Sequence, residues 1–306
     1  MRLYDLIIVG AGPAGIAASI YAHRAGINFQ IIEKGLVGGQ LYFSSHIENY
    51  PGVGRVTGAE LAAKFRKHLE LLQIEVLQNE VTFIRKENDV FFVKCPDVEI
   101  ESRSVIVATG SRARRLNIKG ENEFIGKGIS FCAVCDGFFF KEKEVCVIGG
   151  GNHALEEALY LSGIARKVYL VHRRQEFRAF PGLVKEVSSR TNIEQVLSYV
   201  PVEIRGTDRV NEIVLQHKDT QQQFNLRIDG VFVSIGRFPS LPEIAEGLVE
   251  RDENGFIITD SEMKTRTEGL FACGDLRSTK IRQIAVALSL IHISEPTRLG
   301  MISYAV

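Results

Sequence analysis

Residues 5–15 read Asp-Leu-Ile-Ile-Val-Gly-Ala-Gly-Pro-Ala-Gly, an apolar strand that runs directly into a glycine-rich turn. A small-residue helix and a second apolar strand, which ends in Glu33, follow the turn. This order is typical of a βαβ unit that binds a dinucleotide. Gly10 permits the tight turn, Gly12 lets the backbone approach a pyrophosphate, and Gly15 keeps the helix close to the sheet. The free N–H groups at the start of the helix then face the phosphates.

The same pattern returns later in the chain. A strand at residues 144–148 leads into the turn Gly-Gly-Gly-Asn-His-Ala at residues 149–154, and a helix to about Ser162 and a strand at residues 167–171 follow. Ala154 stands where the first turn has its third glycine. The repeat predicts two dinucleotide sites, the alternative being two unrelated glycine turns.

The two copies differ at the end of their second strand. Glu33 in the first copy can accept hydrogen bonds from both ribose hydroxyls, which suits FAD or NAD and repels a 2′-phosphate. The second copy has no acid there but His172, Arg173 and Arg174, with Arg178 four residues further on. Guanidinium groups bind phosphate, so this copy should prefer NADPH, unless the segment is only a solvated basic turn. Two sites imply one bound flavin and one exchanging NADPH.

Cys132 and Cys135 form a Cys-x-x-Cys pair followed by Asp136. On a turn that opens a helix, the sulfurs share a face, and the helix N-terminus favours the thiolate needed for disulfide exchange. Asp136 could manage the proton. Two alternatives are a structural zinc site, which normally needs four ligands, and a pair of inert buried thiols. The other cysteines are isolated and the histidines show no suitable pairing, so no metal site is expected.

Composition narrows the class of protein. With 306 residues, about two domains are expected, and 37 basic against 37 acidic residues give no pull toward nucleic acid or anionic membranes. No secretory leader and no apolar stretch of about 20 residues is evident, so a cytoplasmic protein is expected. Cys95, Cys146 and Cys273 lie in apolar surroundings and are interpreted as inert buried thiols.

Residues 128–139, Gly-Ile-Ser-Phe-Cys-Ala-Val-Cys-Asp-Gly-Phe-Phe, resemble the redox segment of the low-molecular-weight, bacterial-type thioredoxin reductases. These enzymes are FAD-dependent pyridine nucleotide-disulfide oxidoreductases. Further segments match in the family's order, namely residues 38–40, 48–52, 108–110, 172–179, 235–237 and 271–275.

The resemblance implies an α/β fold of two Rossmann-like dinucleotide-binding domains, with an NADPH domain inserted into a discontinuous FAD domain. The expected division is residues 1–115 and 241–287 for the FAD domain and residues 116–240 for the NADPH domain with the redox pair. The FAD-binding residues would be Gly10, Gly12, Pro13, Ala14, Gly15, Glu33, Gly39, Gln40, Asn49, Thr109, Gly110, Asp275, Arg282, Gln283 and Ile284. The NADPH-binding residues would be Gly149, Gly151, Asn152, His153, Ala154, His172, Arg173, Arg174, Arg178, Ile235 and Gly236.

The implied activity is transfer of electrons from NADPH through FAD and the cysteine pair to thioredoxin. Cys135 would lie nearer the flavin, Cys132 would attack the protein substrate, and Asp136 would transfer the proton. The resemblance also implies a homodimer and domain rotation about hinges near residues 113–118 and 238–242. The alternatives are a related reductase or oxidase of another dithiol, a ferredoxin–NADP reductase and a non-catalytic NADPH sensor. The ferredoxin-linked enzyme would lack the cysteine pair, and the intact Cys132, Cys135 and Asp136 weigh against a sensor.

The match to the family stops after Ala287. Residues 288–306 resemble the translation of a transposase adapter used in preparing sequencing libraries, so we interpret them as a non-native tail. Pro296 would also break the family's final helix. On this interpretation the chain with this tail binds FAD poorly, and resequencing of the genomic locus tests the interpretation.

Overall fold

We analysed a computed structural model of the protein, which describes residues 3–44, 46–279 and 281–289. The chain forms two compact units. One contains the residues up to Arg112 and from Phe238 onward, and the other contains Ala113–Arg237. The expected α/β class, with one Rossmann-like unit inserted into another, is confirmed. The predicted tail begins at residue 288, and its residues 290–306 lie outside the described part of the chain.

The first unit begins with the predicted βαβ segment. Its elements as far as the first unit boundary are β1 (Tyr4–Val9), α1 (Pro13–Arg24), β2 (Phe29–Glu33), α2 (Gly58–Leu71), β3 (Val76–Gln78), β4 (Phe83–Glu87), β5 (Val90–Lys94), β6 (Glu99–Val107) and β7 (Ser111–Ala113). Pro13 occupies the first turn of α1, where its missing N–H costs nothing. A capping box of Thr57 and Glu60 begins α2, and the backbone hydrogen bond from Thr57 lowers the pKa of the Glu60 carboxyl.

The inserted unit holds the second βαβ segment and the redox pair. Its elements are α3 (Glu121–Phe124), β8 (Ile129–Ser130), α4 (Ala133–Asp136), β9 (Glu144–Ile148), α5 (Asn152–Ser162), β10 (Lys167–His172), α6 (Pro181–Ser189), β11 (Ile193–Leu197), β12 (Tyr199–Gly206), β13 (Val210–His217), β14 (Gln223–Arg227) and β15 (Gly230–Val233). The chain then passes through β16 (Arg237–Pro239), which pairs with β7. The return segment contributes β17 (Glu243–Ile244), β18 (Leu270–Ala272) and α7 (Ile284–Ser289).

The main sheet of the first unit has the order β17-β4-β5-β6-β1-β2-β3, and β18 also pairs with β6. β1, β2, β6 and β18 run parallel to their neighbours in this group. Alternate residues of β1 face opposite sides of the sheet, because Leu6 and Ile8 pack against α1 while Ile7 and Val9 belong to the second core cluster. The sheet is therefore buried on both faces, as expected for parallel strands.

The inserted unit has a parallel sheet in the order β11-β10-β9-β15-β8 and an antiparallel meander, β12-β13-β14. Val145 and Val147 of β9 pack toward α5, while Cys146 and Ile148 face the meander side. The sequence predicted domain boundaries after residues 115 and 240. The two units divide three residues earlier in each case, after Arg112 in β7 and after Arg237 in β16. Among the described residues, no helix combines the length and apolar character that crossing a membrane requires.

Candidate functional site

The first glycine turn is tightly packed at two of its three glycines, Gly10 and Gly15, and open at Gly12. A Cβ on Gly10 would lie 2.7 Å from the Ala108 carbonyl oxygen, and one on Gly15 would lie 1.8 Å from the Gly10 oxygen. Gly10 also has a φ of +106°, which favours glycine. At Gly12, by contrast, a Cβ would meet nothing within 4 Å. Contacts within the chain therefore require the outer glycines, while the middle one faces space that a ligand's phosphates could fill.

Glu33 is bound to the same turn. Its Oε2 accepts the Ala11 N–H at 2.7 Å and its Oε1 accepts the Gly35 N–H at 2.7 Å. These bonds fix the carboxylate at the carboxyl end of β2, beside the end of β1. Ligands of such sheets bind outside the carboxyl ends of the strands.

Thr109 follows β6 at the same edge of the sheet. Its Oγ1 is buried, and among the described residues it has no hydrogen-bond partner. A buried hydroxyl without a partner is costly, so it indicates a group that the protein alone does not supply. The open face at Gly12 and this hydroxyl fit a bound dinucleotide at this edge.

The other residues predicted to hold FAD lie around this turn or on the return segment. A Cβ on Gly39 would lie 3.2 Å from the Gly12 Cα, and one on Gly274, next to Asp275, would lie 2.9 Å from the Ala14 Cβ. Asn49 Nδ2 donates to Gln283 Oε1 at 3.0 Å, and Arg282 Nε donates to the Asp275 carbonyl at 3.4 Å. The remaining members are Pro13 at the start of α1, exposed Gln40 on the short 3-10 helix Gly39–Phe43, Gly110 after Thr109, and Ile284 at the start of α7.

The second glycine turn repeats this geometry inside the inserted unit. A Cβ on Gly149 would lie 2.4 Å from the Ser234 oxygen and 2.6 Å from the Ala154 Cβ. A Cβ on Gly150 would lie 2.1 Å from His172 Nδ1, whereas one on Gly151 would meet nothing within 4 Å. Again the glycine at the N-cap of the helix is the one with open space in front of it.

A basic segment borders this turn. Arg173, Arg174 and Arg178 are exposed, and among the described residues none of them is ion-paired with a carboxylate. The backbone N–H of Arg178 donates to the Gly150 oxygen at 2.7 Å, which holds the segment against the turn. Three unpaired guanidinium groups beside a glycine turn fit a ligand with an additional phosphate.

His172 is the buried member of this segment. Its Nε2 lies 3.1 Å from the Glu176 carbonyl oxygen, and its ring stacks on Phe177 at 5.4 Å between centroids. Burial lowers the pKa of His172, and the positive charges of Arg173 and Arg174 lower it further against the opposing hydrogen bond to Glu176. The structure thus favours a neutral imidazole beneath the exposed arginines.

The other residues predicted to hold NADPH lie at the same edge. Asn152 Oδ1 accepts the Phe180 N–H at 2.7 Å, and His153 is exposed on the first turn of α5. Ile235 and Gly236 follow the end of β15, where the Gly236 oxygen accepts the Arg114 N–H at 2.9 Å. All of these side chains belong to the inserted unit.

Cys132 and Cys135 are joined by a disulfide, with their Cα atoms 5.3 Å apart. Cys132 is the N-cap of α4, and its Sγ accepts the Cys135 N–H at 3.2 Å. The predicted juxtaposition of the two sulfurs at the start of a helix is present. Both residues are half-buried, while Val134 between them is exposed.

The carboxylate of Asp136 is held beside the pair by Ser130. Ser130 Oγ donates to Asp136 Oδ2 at 2.6 Å and accepts the Cys132 N–H at 3.1 Å. Ser130 lies only two residues before Cys132, but no motif in the sequence indicated a role for it. One hydroxyl therefore connects the backbone of the redox pair to the predicted proton-transfer group.

The three remaining cysteines are buried thiols. Burial raises the pKa of Cys146, and it raises the pKa of Cys273 to about 12. The pKa of Cys95 is also raised, mainly by burial. Such thiols are poor nucleophiles at neutral pH, so the disulfide pair is chemically distinct from them. No group of three residues arranged to bind a metal occurs within the described part of the chain.

Comparison with known proteins gives the same classification over nearly the whole chain. Residues 4–289 match the family model described as pyridine nucleotide-disulphide oxidoreductase. Thioredoxin reductase of Mycoplasma genitalium is 39% identical over 288 residues, covering 94% of this chain and 91% of the relative.

Two solved structures are similar in fold as well as sequence. Thioredoxin reductase from Streptococcus pyogenes is 37% identical, with a TM-score of 0.92 and 97% of both chains covered. The enzyme from Giardia duodenalis is 32% identical, with a TM-score of 0.93, covering 98% of this chain and 100% of its own. The protein therefore belongs to the pyridine nucleotide-disulphide oxidoreductase family and, within it, to the thioredoxin reductases.

Proposed function

We propose that this protein is an NADPH-dependent thioredoxin reductase that uses FAD and the Cys132–Cys135 pair. The observation that carries the proposal is the disulfide at the start of α4, in the same unit as a glycine turn bordered by arginines that have no carboxylate partner among the described residues. This combination supports a protein that takes electrons from a phosphorylated nicotinamide nucleotide and delivers them to a disulfide.

The family uses a flavin and a nicotinamide nucleotide. The residues at the two strand ends support FAD as the flavin and NADPH as the nicotinamide nucleotide. Glu33 would bind the ribose hydroxyls of FAD, and its charge disfavours a 2′-phosphate. Arg173, Arg174 and Arg178 would bind the 2′-phosphate of NADPH in fork geometry. When bound, the flavin supplies the two-electron link between a nicotinamide and a disulfide.

The protein's own residues then manage thiols and protons. Two electrons and two protons break the Cys132–Cys135 bond and give two thiols. We assign Asp136, oriented by Ser130, to hold and transfer one of these protons. The Cys132 thiolate attacks the disulfide of the substrate protein and forms a mixed disulfide. Cys135 then attacks Cys132, which restores the internal disulfide and releases the reduced substrate.

Thioredoxin is the proposed substrate because relatives that cover most of this chain are named thioredoxin reductase. We also propose a cytoplasmic homodimer, in which the unit ending at Arg112 and resuming at Phe238 binds FAD and the inserted unit binds NADPH. A related reductase or oxidase of another dithiol is the second candidate, since it would carry the same cysteine pair.

The test uses the purified protein with NADPH, thioredoxin and a chromogenic disulfide. NADPH-dependent turnover that requires thioredoxin is expected, and Cys135→Ser should abolish it. Cys146→Ala is the matched control, because that thiol is buried in β9 with a raised pKa and should not participate. If NADPH reduces the flavin but thioredoxin is not turned over, the substrate would be another dithiol or disulfide. Equal turnover by Cys135→Ser and the wild type would contradict the proposed route.

A further inference from the structure

Glu157 is an acidic residue on the otherwise apolar inner face of α5. It is 4% exposed, and on the same helix Ala154, Leu155 and Ala158 are fully buried. A buried carboxylate is costly unless hydrogen bonds and charges compensate it. Its partners therefore show what the residue contributes.

The two carboxylate oxygens contact two different segments of the inserted unit. Oε1 accepts the backbone N–H of Ala133 at 2.9 Å, and Oε2 accepts the hydroxyl of Ser234 at 2.5 Å. His153, one turn earlier on α5, places Nε2 3.6 Å from Oε1. Ala133 is the first residue of α4, and its amide directly follows Cys132. Ser234 directly follows β15 and precedes the Ile235-Gly236 segment.

The contact with Ala133 matters for the chemistry of the pair. A free N–H at the start of a helix stabilises a nearby thiolate, whereas a negative charge destabilises it. Here the carboxylate occupies that N–H and also adds a negative charge next to Cys132. Both effects disfavour the reduced, thiolate-containing form relative to the disulfide. A less stable dithiol gives up its electrons more readily to another disulfide.

Resting on the function proposed above, we propose that Glu157 is a positioning residue that holds the redox turn and keeps the Cys132–Cys135 pair strongly reducing. It acts through the Ala133 amide. Among the described residues, other ionisable groups near the pair include Asp136 on α4, His153 on α5 and Arg115, whose Cζ lies 4.8 Å from the Phe131 ring centroid.

The test compares Glu157→Gln with Glu156→Gln in the purified flavin-bound protein, without NADPH, so that dithiothreitol alone sets the redox equilibrium. Glu156 is exposed on the same helix, so its variant makes the same charge change away from the pair. The fraction of reduced Cys132–Cys135 is measured by thiol alkylation at fixed ratios of reduced to oxidised dithiothreitol and at constant pH. Glu157→Gln keeps an oxygen for the Ala133 amide but removes the charge. Its equilibrium constant for reduction should rise about tenfold, while Glu156→Gln should equal the wild type.

Ser234→Ala gives an independent readout if Glu157→Gln does not fold. Removing the hydroxyl leaves the carboxylate less neutralised, so the equilibrium constant for reduction should fall by about twofold to threefold. Thermal unfolding of each variant separates this effect from a general loss of stability. A Glu157→Gln equilibrium equal to the wild type, or a Ser234→Ala equilibrium equal to or above it, would overturn the inference.

The same experiment separates this inference from the proposed function. The dithiothreitol equilibrium reports on the pair even if the wild type fails to reduce thioredoxin, in which case only the substrate assignment falls. If the wild type turns over thioredoxin and neither Glu157→Gln nor Ser234→Ala moves the equilibrium, the function stands and the role of Glu157 falls.

Discussion

The two glycine turns of this protein have the same packing but opposite charge at the next strand end. In both, a close contact within the chain requires the first glycine, Gly10 or Gly149, and the N-cap glycine, Gly12 or Gly151, faces open space. Glu33 ends β2 of the first unit, whereas His172 ends β10 of the second and leads into Arg173. Packing within the chain therefore determines the residues of the turn, whereas the residue at the strand end can vary with the ligand that is bound.

This comparison separates residues that the fold needs from those that binding needs. A fold residue has a neighbour of its own chain, such as the Gly10 oxygen that faces Gly15. A residue that binds a ligand is expected to have a polar group that the protein leaves without a partner, and among the described residues this holds for the Thr109 hydroxyl and the Arg174 guanidinium. Substitutions at the two kinds of position should change different observables.

The largest expected effect is on the packed glycine of the first turn. In Gly15→Ala the new Cβ would lie 1.8 Å from the Gly10 oxygen, so the helix must move away from the strand. We expect a loss of at least about 3 kcal/mol in the free energy of unfolding. Gly12→Ala, at an ordinary φ of −73° and with nothing within 4 Å, should stay within about 1 kcal/mol of the wild type but retain less flavin.

Urea unfolding and flavin absorbance of the purified variants provide the measurements. The second turn repeats the test, with Gly149→Ala as the packed position and Gly151→Ala as the open one. Equal losses of stability at the packed and open glycines would contradict this distinction, because the open glycine would then also be needed for folding.

Much of this arrangement could be predicted from local sequence pattern. The first predicted helix runs from Pro13 to Arg24, and the second, expected to about Ser162, ends there. The strand expected at residues 167–171 extends one residue further, so His172 belongs to β10. Hydrophobic periodicity and glycine turns are local signals, and they located both βαβ units.

The contacts that orient the redox pair could not be predicted in this way. Glu157 lies 24 residues from Ala133 and 77 residues from Ser234, and only the folded sheet brings them together. The one local signal was an acid on the buried face of α5, beside Ala154 and Ala158. Similarly, nothing in the sequence pattern predicts that β8 pairs with β15 across about a hundred residues.

The second prediction concerns the basic strand end. Arg173→Ala combined with Arg174→Ala should lower the preference for NADPH over NADH by about 100-fold in kcat/KM, since each guanidinium–phosphate bond is worth roughly 1.5–3 kcal/mol. Arg190→Ala is the control, because Arg190 is an exposed arginine of the same unit that pairs with Glu186 at 3.4 Å. Steady-state kinetics with both nucleotides checks the result. A double variant that loses NADPH and NADH activity equally would contradict the assignment.

The third prediction concerns the acidic strand end. Glu33→Gln replaces one carboxylate oxygen by an NH₂ group, which cannot accept from Ala11 or Gly35. A loss of about 1–2 kcal/mol in the free energy of unfolding is expected, together with weaker flavin retention. Glu80→Gln is the control, since that carboxylate forms only an exposed ion pair with Lys34 at 2.9 Å. Denaturation midpoints that coincide for the two variants would show that Glu33 does not hold the turn.

The smallest expected effect is the pH dependence that His172 gives the inserted unit. Because its pKa is lowered in the folded protein, chiefly by burial, the unfolded chain binds a proton near pH 6.5 while the folded histidine is still neutral. The contribution to stability is therefore full above pH 6.5 and decreases as the pH falls from there toward the folded pKa.

His172→Gln should flatten this dependence, because its amide can still donate to the Glu176 oxygen but cannot titrate. Urea unfolding at pH 7.5 and at successive pH values below 6.5 gives the free energy of unfolding against pH for the wild type and for His172→Gln. The same measurement on the double variant Arg173→Ala with Arg174→Ala tests whether the arginines act on His172. Removing two nearby positive charges raises the pKa of His172, so the acid loss should become smaller than in the wild type. An acid loss in that variant that is equal to or steeper than in the wild type would mean that the arginines do not lower the pKa of the buried imidazole.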